Sequence, residues 1–487
     1  MEYLLRLGEL TLKSRRSRKR FMDALIRNIS DALESNGVRD YRLVDMYGRI
    51  YIDVDVDISN ILRRIFGLVG VIEVISHKFT SLEDIASKAI DIYKDLVKDR
   101  SFGVKTNRVG RHPFKSVDVN REVGSALLKY ASKVDLSNPD VWIKLEVRDD
   151  KVYYYLKEYR GYGGLPIGTE GRVLALFSGG YDSPVASWNM LRRGVEVDFI
   201  HFQLGGERHF NKVLRVAIEL ARNWCYGYKP KLFNIDFRPV AKAIRENVRR
   251  DYRIVILRRM MYRVASIVAE EINADALVTG ESIGQVSSQT LKNLIAIDHA
   301  TEYTVLRPLI GFDKIEIIDL SREIGLYNYS RVVEEVCALV EDRPVINADP
   351  DIISGEEAKL DMSIIMNSVS DRVKYDLRII KPEQVPMEDE YSVEPGDMPE
   401  DALIIDVRGS FSYMLGHIPG SINMSEEDLL KKAGNFVRDG KKVIVVCPVG
   451  LDSVEIVKKL RELGVEAYYL LGGFRGYLKH RKITESG

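Results

Sequence analysis

Two stretches of this 487-residue chain combine residue types in spacings suited to chemistry. The first is Ser178-Gly179-Gly180-Tyr181-Asp182-Ser183. Apolar residues 173–177 read as a buried strand before it, and Pro184 suits the first turn of a helix after it. Strand, Gly-Gly turn and helix N-terminus together make an anion cradle, because unpaired backbone N–H groups and the positive end of the helix dipole converge there. A nucleotide phosphate is the anion expected. No Lys-Ser/Thr follows the glycines, which excludes the Walker-type loop. The second stretch begins at Cys447, after an apolar strand over 442–446, and runs Cys447-Pro-Val-Gly-Leu-Asp452 into a helix from Ser453. A sulfur so placed faces backbone N–H groups and a helix N-terminus, a geometry that stabilises a thiolate or persulfide anion.

The intervening pattern predicts the elements that hold these stretches. From 172 to 381 strands and helices alternate, which predicts a doubly wound parallel sheet. Its strands are expected at 173–177, 195–202, 231–235 and 276–278. The Ser178 turn, His201-Phe202 and Gly280 then fall at carboxyl ends of strands, where such sheets bind ligands. Residues 382–401 carry Pro382, Pro386, Pro395, Pro399 and eight acidic residues, the composition of a linker. A short α/β rhythm follows over 402–484.

The front of the chain carries no comparable chemistry but is basic. Residues 1–172 hold 31 Lys+Arg against 25 Asp+Glu, and residues 385–487 hold 13 against 17, although the whole chain is formally neutral. That asymmetry points to a polyanion at the front. Lys13, Arg15, Arg16, Arg18, Lys19 and Arg20 put six basic residues in eight, before a helix expected at 21–33 and after a strand expected at 3–11. Lys105, Arg108, Arg111 and Lys115 are expected in a loop with His112 and Phe114, a mixture suited to RNA phosphates and bases. A helix is expected at 119–134. No window is apolar enough for a membrane span, and the N-terminus has the wrong charge order for a signal peptide, so a cytoplasmic protein is expected. Three cysteines without a CxxC exclude a disulfide scaffold and make a cysteine-ligated metal site unexpected.

The Ser178–Ser183 turn resembles the PP-loop of ATP pyrophosphatases, which split ATP to AMP and pyrophosphate while adenylating a substrate. Asp406-Val-Arg408, Gly416-His-Ile-Pro-Gly-Ser-Ile-Asn423 and the Cys447 loop together resemble a rhodanese domain, which carries sulfane sulfur on its cysteine. The whole chain is similar to the tRNA uracil 4-sulfurtransferase (4-thiouridine synthetase, ThiI) family. RLGELTLKS, GGLPIGTEGRVLALFSGGYDSPVA, TGESIGQVSSQT and RPLIGFDKIEII carry that likeness. It implies a multi-domain α/β and α+β chain: a ferredoxin-like domain over 1–58, a THUMP RNA-binding domain over 59–165, the PP-loop domain over 172–381, the linker, and a rhodanese domain.

By matching position, the resemblance implies an ATP site of Leu176, Phe177, Ser178, Gly179, Gly180, Asp182, Ser183, His201, Phe202, Arg258, Gly280 and Gln289, working with Mg²⁺. Lys314 would offset charge on the leaving phosphate, and Asp182 would act through the metal or by orienting the loop. ATP would adenylate O4 of uridine 8 in tRNA, and persulfide sulfur from Cys447 would replace the AMP. Cys337 would attack that persulfide and end in a Cys337–Cys447 disulfide. Cys225 matches nothing in the family and reads as core packing. Asp452 departs from the cation that many rhodaneses carry in this loop. Its charge disfavours small anionic donors such as thiosulfate, so a cysteine desulfurase or another protein persulfide is the expected donor. Sulfur supply for thiamin thiazole synthesis and a non-adenylating, RNA-binding persulfide carrier are the alternatives. The oligomeric state stays open, a homodimer included.

Overall fold

The computed structural model describes every residue except 13, 47, 287–288, 335–343, 383–384, 386–390, 400, 449, 451 and 486–487. It forms two compact units, Met1–Thr169 with Arg192–Gly194, and Glu170–Leu191 with Val195–Gly487. No helix among the described residues is long and apolar enough to cross a membrane.

The front unit is built on one eight-stranded sheet. Its order is Tyr41–Asp45, Arg49–Val54, Glu2–Leu7, Leu68–Lys78, Lys151–Arg160, Val141–Arg148, Ser101–Val109, Lys133–Val134. Strands from 1–58 and from 59–165 thus share a single hydrogen-bonded sheet. The first strand stops at Leu7 rather than near Thr11. The register shifts between Arg6 and Leu7, and Glu9–Leu12 winds into a 3₁₀ turn. The first helix, Arg15–Ser35, starts earlier than its apolar stripe, so Arg16, Arg18, Lys19 and Arg20 occupy its first turns rather than a lead-in. The stripe Phe21, Leu25 and Ile29 is buried as expected. Lys13 and the side chain of Arg15 lie outside the described residues.

Lys105 and Arg108 are not in a loop. They sit on the strand Ser101–Val109, whose outer residues are polar while Phe102, Val104 and Thr106 are buried. Their charges conceal the strand's alternation in the sequence. Arg111 and Lys115 do follow in the connecting segment and are exposed, whereas Phe114 packs against Phe79 and His112 at ring distances of 5.9 and 5.2 Å. The helix expected at 119–134 spans Ser116–Leu128 and gives way to the two-residue strand Lys133–Val134.

The second unit holds two sheets. The larger has the order Val305–Leu306, Ala276–Val278, Arg172–Leu176, Glu196–Gln203, Lys231–Asp236, Val373–Asp376. All pairs are parallel except the last, an antiparallel edge strand. That strand is exposed, short and preceded by helices, so it carries little apolar signal. The chain builds outward on one side of Arg172–Leu176, then crosses to place Ala276–Val278 on its other side. The carboxyl ends of these two strands therefore flank the topological switch point, where doubly wound sheets open a ligand crevice. Under one face lies the main core, where Leu174, Ile200, Phe202, Phe237, Val255 and Met260 are buried. The smaller sheet is all parallel, in the order Ser392–Val393, Ala467–Leu470, Val443–Val446, Leu403–Asp406, Ile422–Asn423. Ser392–Val393 falls inside the Pro-rich stretch 382–401, part of which is therefore edge strand.

Candidate functional site

The loop after Arg172–Leu176 is shaped by close approaches. Gly179 has a φ of +78°, and a side chain there would meet Val213 Cα at 3.0 Å. Ser183 Oγ accepts from the N–H groups of Ser178 and Gly179 at 3.0 and 3.3 Å, which folds the loop back over the start of the helix Asp182–Arg192. Opposite, Gly280 leaves the strand Ala276–Val278 so close that a Cβ would stand 2.8 Å from Asp182 C and 2.9 Å from Ser183 N. Glycine is needed there for space and not for its φ.

Asp182 and Lys314 meet across this crevice. Lys314 Nζ donates to both carboxylate oxygens at 2.8 and 3.0 Å, and Gln285 Nε2 donates to Oδ2 at 3.0 Å. Lys314 is the first residue of the helix Lys314–Glu323, which Asp313 and Glu316 cap reciprocally. A cation at a helix N-terminus is electrostatically disfavoured, and Asp182 offsets it. The Tyr181 ring lies 5.6 Å from Lys314 Nζ and stacks on Tyr327. Ser282 Oγ donates to the Phe312 carbonyl at 2.6 Å, which ties the segment bearing Gln285 to the one bearing Lys314. Gln289 Oε1 accepts from Ser282 N at 3.3 Å and closes the same segment.

His201 and Phe202 adjoin the loop but point to opposite faces, as alternate strand residues must. Phe202 packs edge-on against Phe237 in the core. His201 donates from Nδ1 to the Phe177 carbonyl at 2.9 Å and stacks on Phe210. Burial, with His209 nearby, outweighs that bond and pushes its pKa down to about 3, so the ring is neutral. Its buried Nε2 has no hydrogen-bond partner among the described residues. Leu176 joins the edge of the core, and Phe177 packs edge-on with Phe199 at 5.0 Å. Arg258 does not aim at the loop. It binds Glu281, which also accepts from Arg307, Thr279 and Tyr262 at 2.8 to 3.1 Å. Burial works to raise the Glu281 pKa, but Arg258 and Arg307 outweigh it and hold the carboxyl below its ordinary range. Glu281 and Gln285 are not singled out by the sequence. Both lie in the stretch TGESIGQVSSQT, and the acid that follows Gly280 was the available signal.

Cys447 is buried at the end of its strand. Gly450 N–H donates to Sγ at 3.1 Å, and Ser453 Oγ lies 3.4 Å from it at the start of the helix Asp452–Glu462. Asp406, fully buried, binds the Arg408 side chain, and Asn423 donates to the Asp406 and Arg408 carbonyls at 2.9 and 2.7 Å. The DVR and GHIPGSIN stretches thus lock each other. Asp452 is paired with Arg245 Nη2 at 2.7 Å. The loop entrance is therefore less acidic than its sequence suggests, which weakens the electrostatic case against thiosulfate. Cys225 is buried, and burial pushes its thiol pKa up to about 12, in keeping with packing. Cys337 lies outside the described residues. Glu334 just before them is held by Lys212, and its carbonyl accepts from His209 Nε2 at 3.0 Å.

Four family models match the chain: Thiamine biosynthesis protein (ThiI) over residues 168–362, THUMP domain over 79–157, Rhodanese-like domain over 394–480 and ThiI ferredoxin-like domain over 2–72. A tRNA sulfurtransferase of Desulfurococcus amylolyticus is 39% identical over 473 residues, 96% of each chain. One of Thermoplasma acidophilum is 35% identical over 100% of this chain and 97% of that protein. Among solved structures, a 4-thiouridine synthetase–RNA complex with bound ATP superposes with a TM-score of 0.68 at 31% identity, covering 77% of this chain and 98% of that one.

Two outcomes follow from the crevice. Gly280→Ala will displace the loop and raise the KM for ATP about tenfold or more, with the fold retained by circular dichroism. Glu281→Gln leaves the half-buried Arg258 and Arg307 short of a charged partner and will cost about 1–3 kcal/mol of unfolding free energy. Because the Glu281 pKa is depressed, its contribution is present above the ordinary carboxyl value of 4.5 and lost as pH falls through its folded value. The stability difference between wild type and variant, followed by denaturant titration, will therefore shrink below that pH.

Proposed function

Because the chain belongs to the ThiI family of tRNA sulfurtransferases, we propose that it is an ATP-dependent tRNA sulfurtransferase that makes 4-thiouridine at position 8 with sulfur carried on Cys447. The observation that carries this reading is the Lys314–Asp182 pair at the mouth of the phosphate loop, two residues 132 positions apart in sequence.

Uracil O4 attacks the α-phosphorus of ATP, the bond to the β-phosphate oxygen breaks, and pyrophosphate leaves. The base is then linked to AMP through O4. Lys314 supports this step by exchanging Asp182 for phosphate oxygens as charge develops on the leaving group. Loop amides and the dipole of Asp182–Arg192 hold the remaining charge. Asp182 brings a carboxylate to the loop, which suits Mg²⁺, an ion that takes one or two carboxylates and completes its shell with phosphate oxygens and water. When bound, the ion neutralises phosphate charge. No group of three potential metal ligands occurs among the described residues.

The terminal sulfur of a Cys447 persulfide then attacks C4, and AMP departs. The Cys337 thiolate attacks the Cys447 sulfur, so a Cys337–Cys447 disulfide forms and the outer sulfur stays on the base. An order in which Cys337 first releases that sulfur as sulfide gives the same products. An external thiol reductant reopens the disulfide. The Gly450 N–H that donates to Cys447 Sγ would stabilise the persulfide anion once it is loaded. The exposed Arg16, Lys19, Arg20, Lys105, Arg111 and Lys115 are the cations through which the front unit would hold tRNA phosphates, with Arg18 and Arg108 half-buried beside them. Sulfur supply for thiazole synthesis is a second reading, favoured by the description of the matched ThiI model. It needs Cys447 but no tRNA.

Incubation of the chain with tRNA, ATP and a persulfide donor will give 4-thiouridine on nucleoside mass analysis, and its absence overturns the reading. Lys314→Ala will lower tRNA-dependent AMP formation about 10²-fold or more. Cys447→Ala will keep AMP formation and lose persulfide-dependent thiolation. Cys337→Ala will lose turnover, and full multiple turnover without reductant in that variant would remove the disulfide step.

A further inference from the structure

The ion pair that neutralises Asp452 reaches between parts of the second unit that the sequence treats as separate. Arg245 belongs to the last turn of the helix Arg238–Asn247, which packs beneath the nucleotide-binding sheet. Asp452 opens the helix that follows the Cys447 loop. Each charge stands at the helix end whose dipole favours it, a cation at a C-terminus and an anion at an N-terminus. The backbone beneath Arg245 is pinned as well, because Arg253 Nη2 donates to the Arg245 carbonyl at 2.6 Å and its Nε donates to the Val248 carbonyl at 3.1 Å.

The pair has company. Arg208 binds Glu394 at 2.6 Å, and Lys458, on the same helix as Asp452, lies 3.9 Å from Glu207. Glu207 and Arg208 begin the helix Glu207–Trp224, whose next residues His209 and Lys212 hold Glu334. One helix end therefore contacts both the Cys447-bearing domain and the chain that leads to Cys337. Burial works against the guanidinium charge of Arg245, and the hydrogen bond and charge of Asp452 outweigh it, so Arg245 titrates above its ordinary range.

We propose that Arg245 is a positioning residue for sulfur delivery: its ion pair with Asp452 docks the Cys447 loop onto the nucleotide-binding domain. The departure at position 452 is then the acidic half of a cross-domain lock, and the cation missing from the loop is supplied by the neighbouring domain. This rests on the assignment of Cys447 as the persulfide carrier. Arg245 touches neither nucleotide nor sulfur chemistry, so its loss should affect delivery alone.

The test uses the full chain as wild type, Arg245→Glu, Asp452→Arg and the double charge swap. Four quantities are read: tRNA-dependent AMP formation, persulfide occupancy of Cys447 by intact mass, 4-thiouridine from a protein persulfide, and 4-thiouridine from excess soluble bisulfide, which bypasses Cys447. Each single variant should lose about tenfold in persulfide-driven thiolation with AMP formation and bisulfide-driven thiolation within about twofold of wild type, and in Arg245→Glu the persulfide occupancy of Cys447 should also stay within about twofold. The double swap should recover most of the loss, which a merely structural defect would not allow. Full persulfide-driven activity in Arg245→Glu, an equal loss with bisulfide, or a double swap no better than the singles would overturn the dock alone. A wild-type chain that makes no 4-thiouridine from either source would overturn the function and the dock together.

Discussion

The nucleotide site depends on how closely two strand ends approach at the switch point of the larger sheet. Gly280 lies so near Asp182 and Ser183 that no side chain fits between them. That proximity lets the 280–289 segment deliver Gln285 to Asp182 and lets the chain beyond Leu306 return with Lys314. Hydrogen bonds from Ile283 N to Ile310 O and from Thr279 N to Leu306 O stitch these segments together. The Ser178–Ser183 loop is thus one wall of a three-segment crevice, and the lysine beside it comes from a distant helix rather than from the loop. A Walker-type loop carries its cation within the motif. Here the same electrostatic need is met by tertiary contact, and the crevice must be folded before the charge is in place.

Glu281 links that crevice to the core. It is buried with two arginines, a hydroxyl and a phenol around it, and Arg307 is further paired with Asp298. Such a network is costly to break, because Glu281 is buried and each deletion removes one of the partners that support its charge. It fixes the strand end that carries Gly280. Arg258, which the family likeness places at ATP, is in this structure part of the same network, so it links the nucleotide site to the scaffold below it.

Much of this was legible in the chain. The apolar run before Ser178 and the Gly-Gly turn announced a strand, a cradle and a helix, because those features are local. Asp182 and Lys314 were each legible only through family likeness, and their pairing was not legible at all. Lys314 at the head of a capped helix reads from sequence as an exposed helix-start residue, and only the fold supplies its partner. The strand bearing Lys105 and Arg108 was hidden because polar and basic residues fill its second half on both faces. Gln285 was invisible for a different reason: an amide has no chemistry of its own to notice until a carboxylate is placed beside it. The Asp452–Arg245 pair weakened a sequence inference, since a charge read alone has one meaning and a neutralised charge has another.

The edge strand Ser392–Val393 bears on how the C-terminal part of this protein can be dissected. Composition invites a cut near residue 402, after the last proline. Such a fragment would lack the segment whose Tyr391 and Val393 carbonyls accept from Tyr469 and Leu471 N–H and would leave Ala467–Leu470 with a bare edge. Exposed edges recruit other strands, so the shortened fragment would tend to self-associate. An autonomous sulfur-carrying piece has to begin upstream of Tyr391, and the polypeptide that tethers the two halves of the second unit is shorter than its proline and acid content suggests.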